Sequence, residues 1–186
     1  VKPVLRLGGR YDVRLRKRIN RAPSPVFAYV APWASIMLGS LVTGWLTIAS
    51  TPIVPPLGFL LLVGWRQLRP GLLPVWAGMP LGLFDDLVSG QPMGSAILLW
   101  SVASIVIEVI ETRWPWRNFA IEWAIAAALI AADIVLAGLI ASGLAHPEWL
   151  LALLPQLGLA LLGYPLAARL CARLDRYRLL PFRVID

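Results

Sequence analysis

The chain has 186 residues, of which 59% are hydrophobic and only 15% charged, against about a quarter charged in an ordinary soluble domain. Between Pro23 and Ala168 just 11 of 146 side chains carry a charge, too few for the polar surface that a water-soluble fold requires. The mean hydropathy of +0.73 agrees, and lipid is the expected solvent for most of the chain. The pI near 10.5 would suggest nucleic acid in a soluble protein. Here the basic residues flank apolar runs, where they set orientation and meet anionic lipid headgroups, so nucleic acid is not an expected partner. A lone cysteine, Cys171, and a lone histidine, His146, leave neither a disulfide framework nor a Cys/His metal set.

Residues 1–25 form a basic arm in which Lys2, Arg6, Arg10, Arg14, Arg16, Lys17, Arg18 and Arg21 face one acid, Asp12. A solvated tail of this kind fixes orientation and offers a cytoplasmic surface to partners or anionic lipid. The first apolar run, 26–49, is far longer than the roughly 7–15 residues of a signal-peptide core and is read as an uncleaved span. Two shorter runs follow, 53–65 and 72–88, split by Arg66, Gln67, Arg69, Pro70 and Gly71. Residues 53–65, and 72–84 of the second run, are 13 apolar residues each and short against the ~17–25 of a full crossing, so two short crossings compete with one re-entrant pair; extension through Asp85 and Asp86 to Val88 brings the second to 17, which is enough. Spans over 93–112, 119–145 and 149–171 complete the transmembrane domain, and 172–186 is a second basic tail. Arg169, Arg173 and Arg176 share one helix face there and can snorkel to headgroups.

Charge asymmetry decides the count. With six spans and an inside N-terminus, segments 1–25, 66–71, 112–118 and 169–186 hold eight, two, two and five Lys/Arg, which accounts for all 17. The opposite connections, around 50–52, 89–92 and 146–148, hold none. That asymmetry is the positive-inside pattern, and it predicts an all-α bundle of about six transmembrane helices with both ends in the cytoplasm.

The polar residues that remain are few. Gly90 is placed as a helix C-terminal glycine and Pro92 as the first residue of the next helix, giving a tight outer turn. Asp85 and Asp86 point about 100° apart, one towards the bundle and one towards the interface; a metal would need a third ligand, and the sequence supplies none. Gly94, Ile97, Ser101, Ser104, Glu108 and Glu111 form a stripe at helical spacing, as Ser35, Gly39 and Thr43 do in the first span. Such small and polar faces mark helix packing in membranes. Asp133 lies well inside its span, where a charge costs about 2.5–3.5 kcal/mol. Counting back from the turn at His146-Pro147-Glu148 sets it opposite Gln156, and a protonated Asp133 donating to that amide is expected. No nucleophile–base pair, phosphate loop or cofactor motif is present, so neither catalysis, a cofactor nor a metal is assigned.

The run Leu68-Arg69-Pro70-Gly71, followed by Gly82-Leu83-Phe84-Asp85-Asp86-Leu87-Val88-Ser89-Gly90-Gln91-Pro92-Met93-Gly94, resembles the rod-shape-determining protein MreD family. The family pattern is an Arg-Pro loop and Gly-Leu-hydrophobic-x-Asp-Leu-x-x-Gly-x-Pro-Leu-Gly. Met93 stands where leucine is usual, and Asp85 is an extra acid if Asp86 holds the family position. The resemblance implies a fold similar to the six-helix substrate-binding subunits of energy-coupling-factor transporters. It also implies a non-enzymatic adaptor of bacterial cell elongation in the cytoplasmic membrane. The implied partners are MreC, most directly, and through it MreB, RodA and a class-B penicillin-binding transpeptidase. Arg69, Pro70, Gly82, Asp85, Asp86, Gly90, Pro92 and Gly94 are then candidate partner contacts, beside the intramembrane polar residues Ser101, Ser104, Glu108, Asp133 and Gln156. The alternative from a different class is a vitamin-like small-molecule binding subunit of a transporter.

Overall fold

The structure, a computed structural model, describes residues 21–22, 25–49, 54–114, 118–142, 149–178 and 183–184. The arm before Arg21, Arg117 and the turn at His146 to Glu148 lie outside the described residues. The fold is all-helical: α1 (Pro25–Ala49), α2 (Leu57–Leu68), α3 (Gly78–Ser89), α4 (Ser95–Arg113), α5 (Phe119–Ser142) and α6 (Trp149–Arg178). A 3-10 turn, Val75–Ala77, leads into α3, and Arg21–Ala22 pairs antiparallel with Arg183–Val184, joining the two ends of the chain.

Four helices are long and apolar enough to cross a bilayer: Ala28–Leu46, Ser95–Arg113, Phe119–Ala141 and Leu151–Arg178. The two middle helices are not. Each has 12 residues, about 18 Å at 1.5 Å per residue, against a hydrocarbon core of about 30 Å. The expected helix over 72–88 is thus corrected to a turn, one 3-10 turn and a helix from Gly78. Pro74 and Pro80 explain the late start, since proline lacks the N–H that a helix interior uses and is tolerated only in the first turn. The expected span 53–65 likewise begins at Leu57, after the Pro55–Pro56 pair, and runs on to Leu68.

Short length is tolerable because α2 is not in lipid. Gly58 to Gln67 are all buried, and α1, α4, α5 and α6 all pack against it. The outer helices close a ring in the order α1, α3, α4, α5, α6 and back to α1. A helix apolar on every side belongs inside, and Phe59, Leu60, Leu62, Val63 and Trp65 supply the centre of the core. Contacts across the ring are tight where side chains are missing. A Cβ on Gly82 would stand 2.5 Å from the Ala96 carbonyl oxygen, one on Gly78 2.6 Å from that of Trp100, and one on Gly39 3.0 Å from the Gly58 nitrogen. The small face expected on α1 is therefore a packing face, with Gly39 and Ser40 set against Gly58.

Candidate functional site

The motif between α3 and α4 is built around Asp86. Its carboxylate, 2% exposed, turns from the last turn of α3 onto the first turn of α4. Oδ2 accepts from the Gly94 and Ile97 N–H groups at 2.9 and 3.3 Å, and Oδ1 accepts from Ala96 N–H at 2.9 Å and the Ser95 hydroxyl at 3.1 Å. A helix start leaves its first N–H groups without intrahelical acceptors and carries partial positive charge. One anion from the preceding helix meets both needs. The chain must reverse within a few residues to allow it, and Gly90 (φ +69) and Gly94 (φ +98) supply the left-handed conformations. Gly90 ends α3 as expected. Pro92 does not open α4; it lies in the turn, its carbonyl accepts from Ser95, and the helix begins at Ser95 because Asp86 caps it there. Asp86 thus faces the bundle, while the adjacent Asp85 is half-buried on the Ser40 side.

At the same end, side chains complete an irregular backbone. Leu57 N–H donates to Thr43 Oγ1 at 3.1 Å, and Gln156 Nε2 donates to the Val54 carbonyl at 3.0 Å. No hydrogen bond joins Asp133 to Gln156 among the described residues, where one was expected. The broken lead-in to α2 presents a carbonyl with no helical partner, and unmet carbonyls at membrane depth are costly, so the Gln156 amide goes there. Asp133 is buried on α5, within electrostatic reach of Asp85. Ser104 and half-buried Ser101 lie on α4 with hydroxyls that meet no hydrogen-bond partner among the described residues.

The opposite end is a belt of charged and polar contacts. Arg66, 2% exposed, donates through Nη2 to Glu108 Oε2 at 2.8 Å and through Nη1 to the Leu73 carbonyl at 3.0 Å. Arg69 donates twice to Asp175 Oδ2, at 2.9 and 3.0 Å, while Arg178 holds Asp175 Oδ1 at 2.7 Å. Arg178 also donates to the Ala28 carbonyl at 3.0 Å, the group that Pro32, four residues on, leaves without its helical N–H. Pro70 and Gly71 (φ +79) form a turn closed by Leu72 N–H to the Arg69 carbonyl at 3.1 Å, as a type II turn requires. Tyr164 donates to Gln67 Oε1 at 2.7 Å, and Gln67 Nε2 to the Glu122 carbonyl at 3.1 Å. Trp65 Nε1 donates to Ser35 Oγ at 2.8 Å.

The belt joins the start of α1, the end of α2, the approach to α3, the end of α4, the start of α5 and the end of α6. The motif residues are accordingly divided: Arg69 and Pro70 sit at the belt end, and Asp85, Asp86, Gly90, Pro92 and Gly94 at the other. Gly82 lies between them in the α3–α4 contact. Reading the sequence missed the roles of Arg66, Gln67, Tyr164, Asp175 and Arg178. Their signal was polar type next to apolar runs, which loop assignment absorbed for Arg66 and Gln67.

A cavity of about 630 Å³ among the described residues is a groove on the α1–α6 seam with Leu57 and Leu61 of α2 at its floor. Ala31, Ala34, Gly39, Gly163 and Ala167 line its walls. It opens sideways towards lipid, and no group of three metal-ligating side chains forms among the described residues. Compared with protein-family models, curated proteins and solved structures, the chain matches none.

Proposed function

We propose that the chain is a non-enzymatic scaffold of the bacterial cell-elongation machinery, a six-crossing protein of the cytoplasmic membrane with both termini inside. In this reading it binds the transmembrane helix of MreC and, through MreC, joins MreB, RodA and a class-B penicillin-binding transpeptidase. The observation that carries the reading is the motif itself. The Asp-Leu-x-x-Gly-x-Pro-x-Gly pattern resembling that family coincides with a built clasp, in which Asp86 fastens α4 across the Gly90–Gly94 turn. A clasp fixes a packing platform and performs no chemistry, which suits an adaptor. The α1–α6 groove supports the same reading, because alanines and glycines let a partner helix approach closely. The alternative, a vitamin-like binder, asks for an enclosed cavity with convergent polar groups, whereas the groove is apolar and open to lipid.

The test is affinity purification of the full chain from gently solubilised membranes. MreC and the wall synthases are expected with it; an ATPase module carrying a vitamin would overturn the scaffold. Gly163→Leu fills the groove from inside α6, where the nearest atom to the new Cβ is Leu60 Cδ2 at 3.8 Å. It is expected to lower MreC recovery about tenfold, the equivalent of 1.4 kcal/mol, with the chain still folded.

A further inference from the structure

A second concavity lies on the other side of α6, between α2, α5 and α6 at the belt end. Its volume is about 310 Å³, and Phe119, Glu122, Trp123, Tyr164, Gln67 and Leu68 are among its lining. Three of those six are aromatic and one is a carboxylate. The polar groups on its inner wall are already engaged: the Tyr164 hydroxyl with Gln67, and the Gln67 amide with the Glu122 carbonyl. Glu122 is the charged residue of the lining, and no cation pairs with its carboxylate among the described residues. That is unusual in a chain of net charge +7. Phe119 is 70% and Trp123 38% exposed, so the wall stays open to the surroundings.

Aromatic faces attract cations through the negative face of the ring, and a carboxylate adds charge and hydrogen-bond acceptors. A box of this composition selects a compact ammonium group. Its position selects the source. Glu122 lies in the first turn of α5, level with the Arg66, Arg69 and Asp175 belt, where the basic segments place the headgroup layer of a bilayer. From these observations we propose that the pocket binds the ammonium headgroup of a membrane phospholipid, phosphatidylethanolamine. The ethanolamine nitrogen lies against Trp123 and Glu122. The site needs the bundle in a bilayer but not the elongation role. It is separate from the α1–α6 groove, so loss of lipid selectivity and loss of MreC recovery are independent outcomes.

The test is native mass spectrometry of the full chain in mild detergent, offered phosphatidylethanolamine and phosphatidylglycerol of identical acyl chains. The wild-type chain is expected to retain the ethanolamine lipid about five- to tenfold better, and Glu122→Gln to bring the ratio within about twofold. Trp123→Leu keeps the charge but removes the aromatic wall, and is expected to lower the ratio about threefold. It also serves as the test if Glu122→Gln lowers the melting temperature. Equal retention of the two lipids by the wild-type chain overturns the proposal, as does an unchanged ratio in both variants.

Discussion

Asp86 shows how one carboxylate can hold a membrane fold without taking part in chemistry. Four groups converge on it, three of them backbone N–H groups at the start of α4. Removing such an acceptor leaves donors buried away from water, and each costs about 1–3 kcal/mol. Asp86→Ala is therefore expected to destabilise the protein by about 2–4 kcal/mol, read as a lowered thermal midpoint in detergent. Asp86→Asn keeps one acceptor oxygen and should fall between the two. Asp85→Ala, one residue away but half-buried and outside the cap, should cost clearly less; equal losses at 85 and 86 would remove the clasp from the account. The doubled acid was visible in the sequence. Which of the two mattered was not, because the choice depends on where the next helix begins, and that start moved from Pro92 to Ser95. The same dependence hid Arg66: as a loop residue it reads as a topology signal, but in the last turn of a buried helix it becomes an ion-pair partner of Glu108.

Among the elements, helix existence was legible and helix ends were not. The four long apolar runs appear where hydropathy places them, since twenty apolar residues have few alternatives to a helix in lipid. The middle pair eluded the reading because its lengths are set by neighbours. Prolines stop α2 and α3 short, and the freed backbone is satisfied by Thr43, Gln156 and Arg66 from α1, α6 and α2 itself, contacts that no local pattern announces. Depth counting set Asp133 opposite Gln156 but gave no sign that the Gln156 amide nitrogen would be drawn to the Val54 carbonyl. The glycine faces were better predicted, yet Gly78 was missed although it stands four residues before Gly82, the small-xxx-small spacing of close helix contacts. At Gly82 the opposing atom is backbone, the Ala96 carbonyl at 2.5 Å from a new Cβ, and backbone yields little. Gly82→Ala is expected to separate α3 from α4 and cost about 1–3 kcal/mol. Gly158→Ala, which meets nothing within 4 Å, should leave the thermal midpoint unchanged or raise it, and this contrast checks that packing rather than helix propensity is responsible.

For the whole molecule, a central helix that cannot span the bilayer alone is held at both ends by the helices around it. At one end Arg66, Arg69 and Gln67 tie α2 to α4, α6 and α5; at the other, Thr43 and Gln156 hold its approach. The belt end collects the basic residues of the described helices, including exposed Arg113, Arg169, Arg173 and Arg176, while the Asp86 end carries none. In the six-crossing reading proposed above, the belt faces the cytoplasm, and the short stretch from Pro70 to Gln91 passes from one side of the membrane to the other. Single cysteines test this directly, since the native Cys171 is fully buried and contributes little background. In intact cells treated with a membrane-impermeant maleimide that reaches the periplasm, Gln91→Cys is expected to label. Pro70→Cys and Tyr177→Cys, both at exposed positions, should label only after the membrane is opened. Labelling of both position 70 and position 91 in intact cells would make α2 and α3 a re-entrant pair and reduce the crossings to four. The two basic ends would still share one side, because the paired strands Arg21–Ala22 and Arg183–Val184 join them; only the side reached by the Pro70 turn would change.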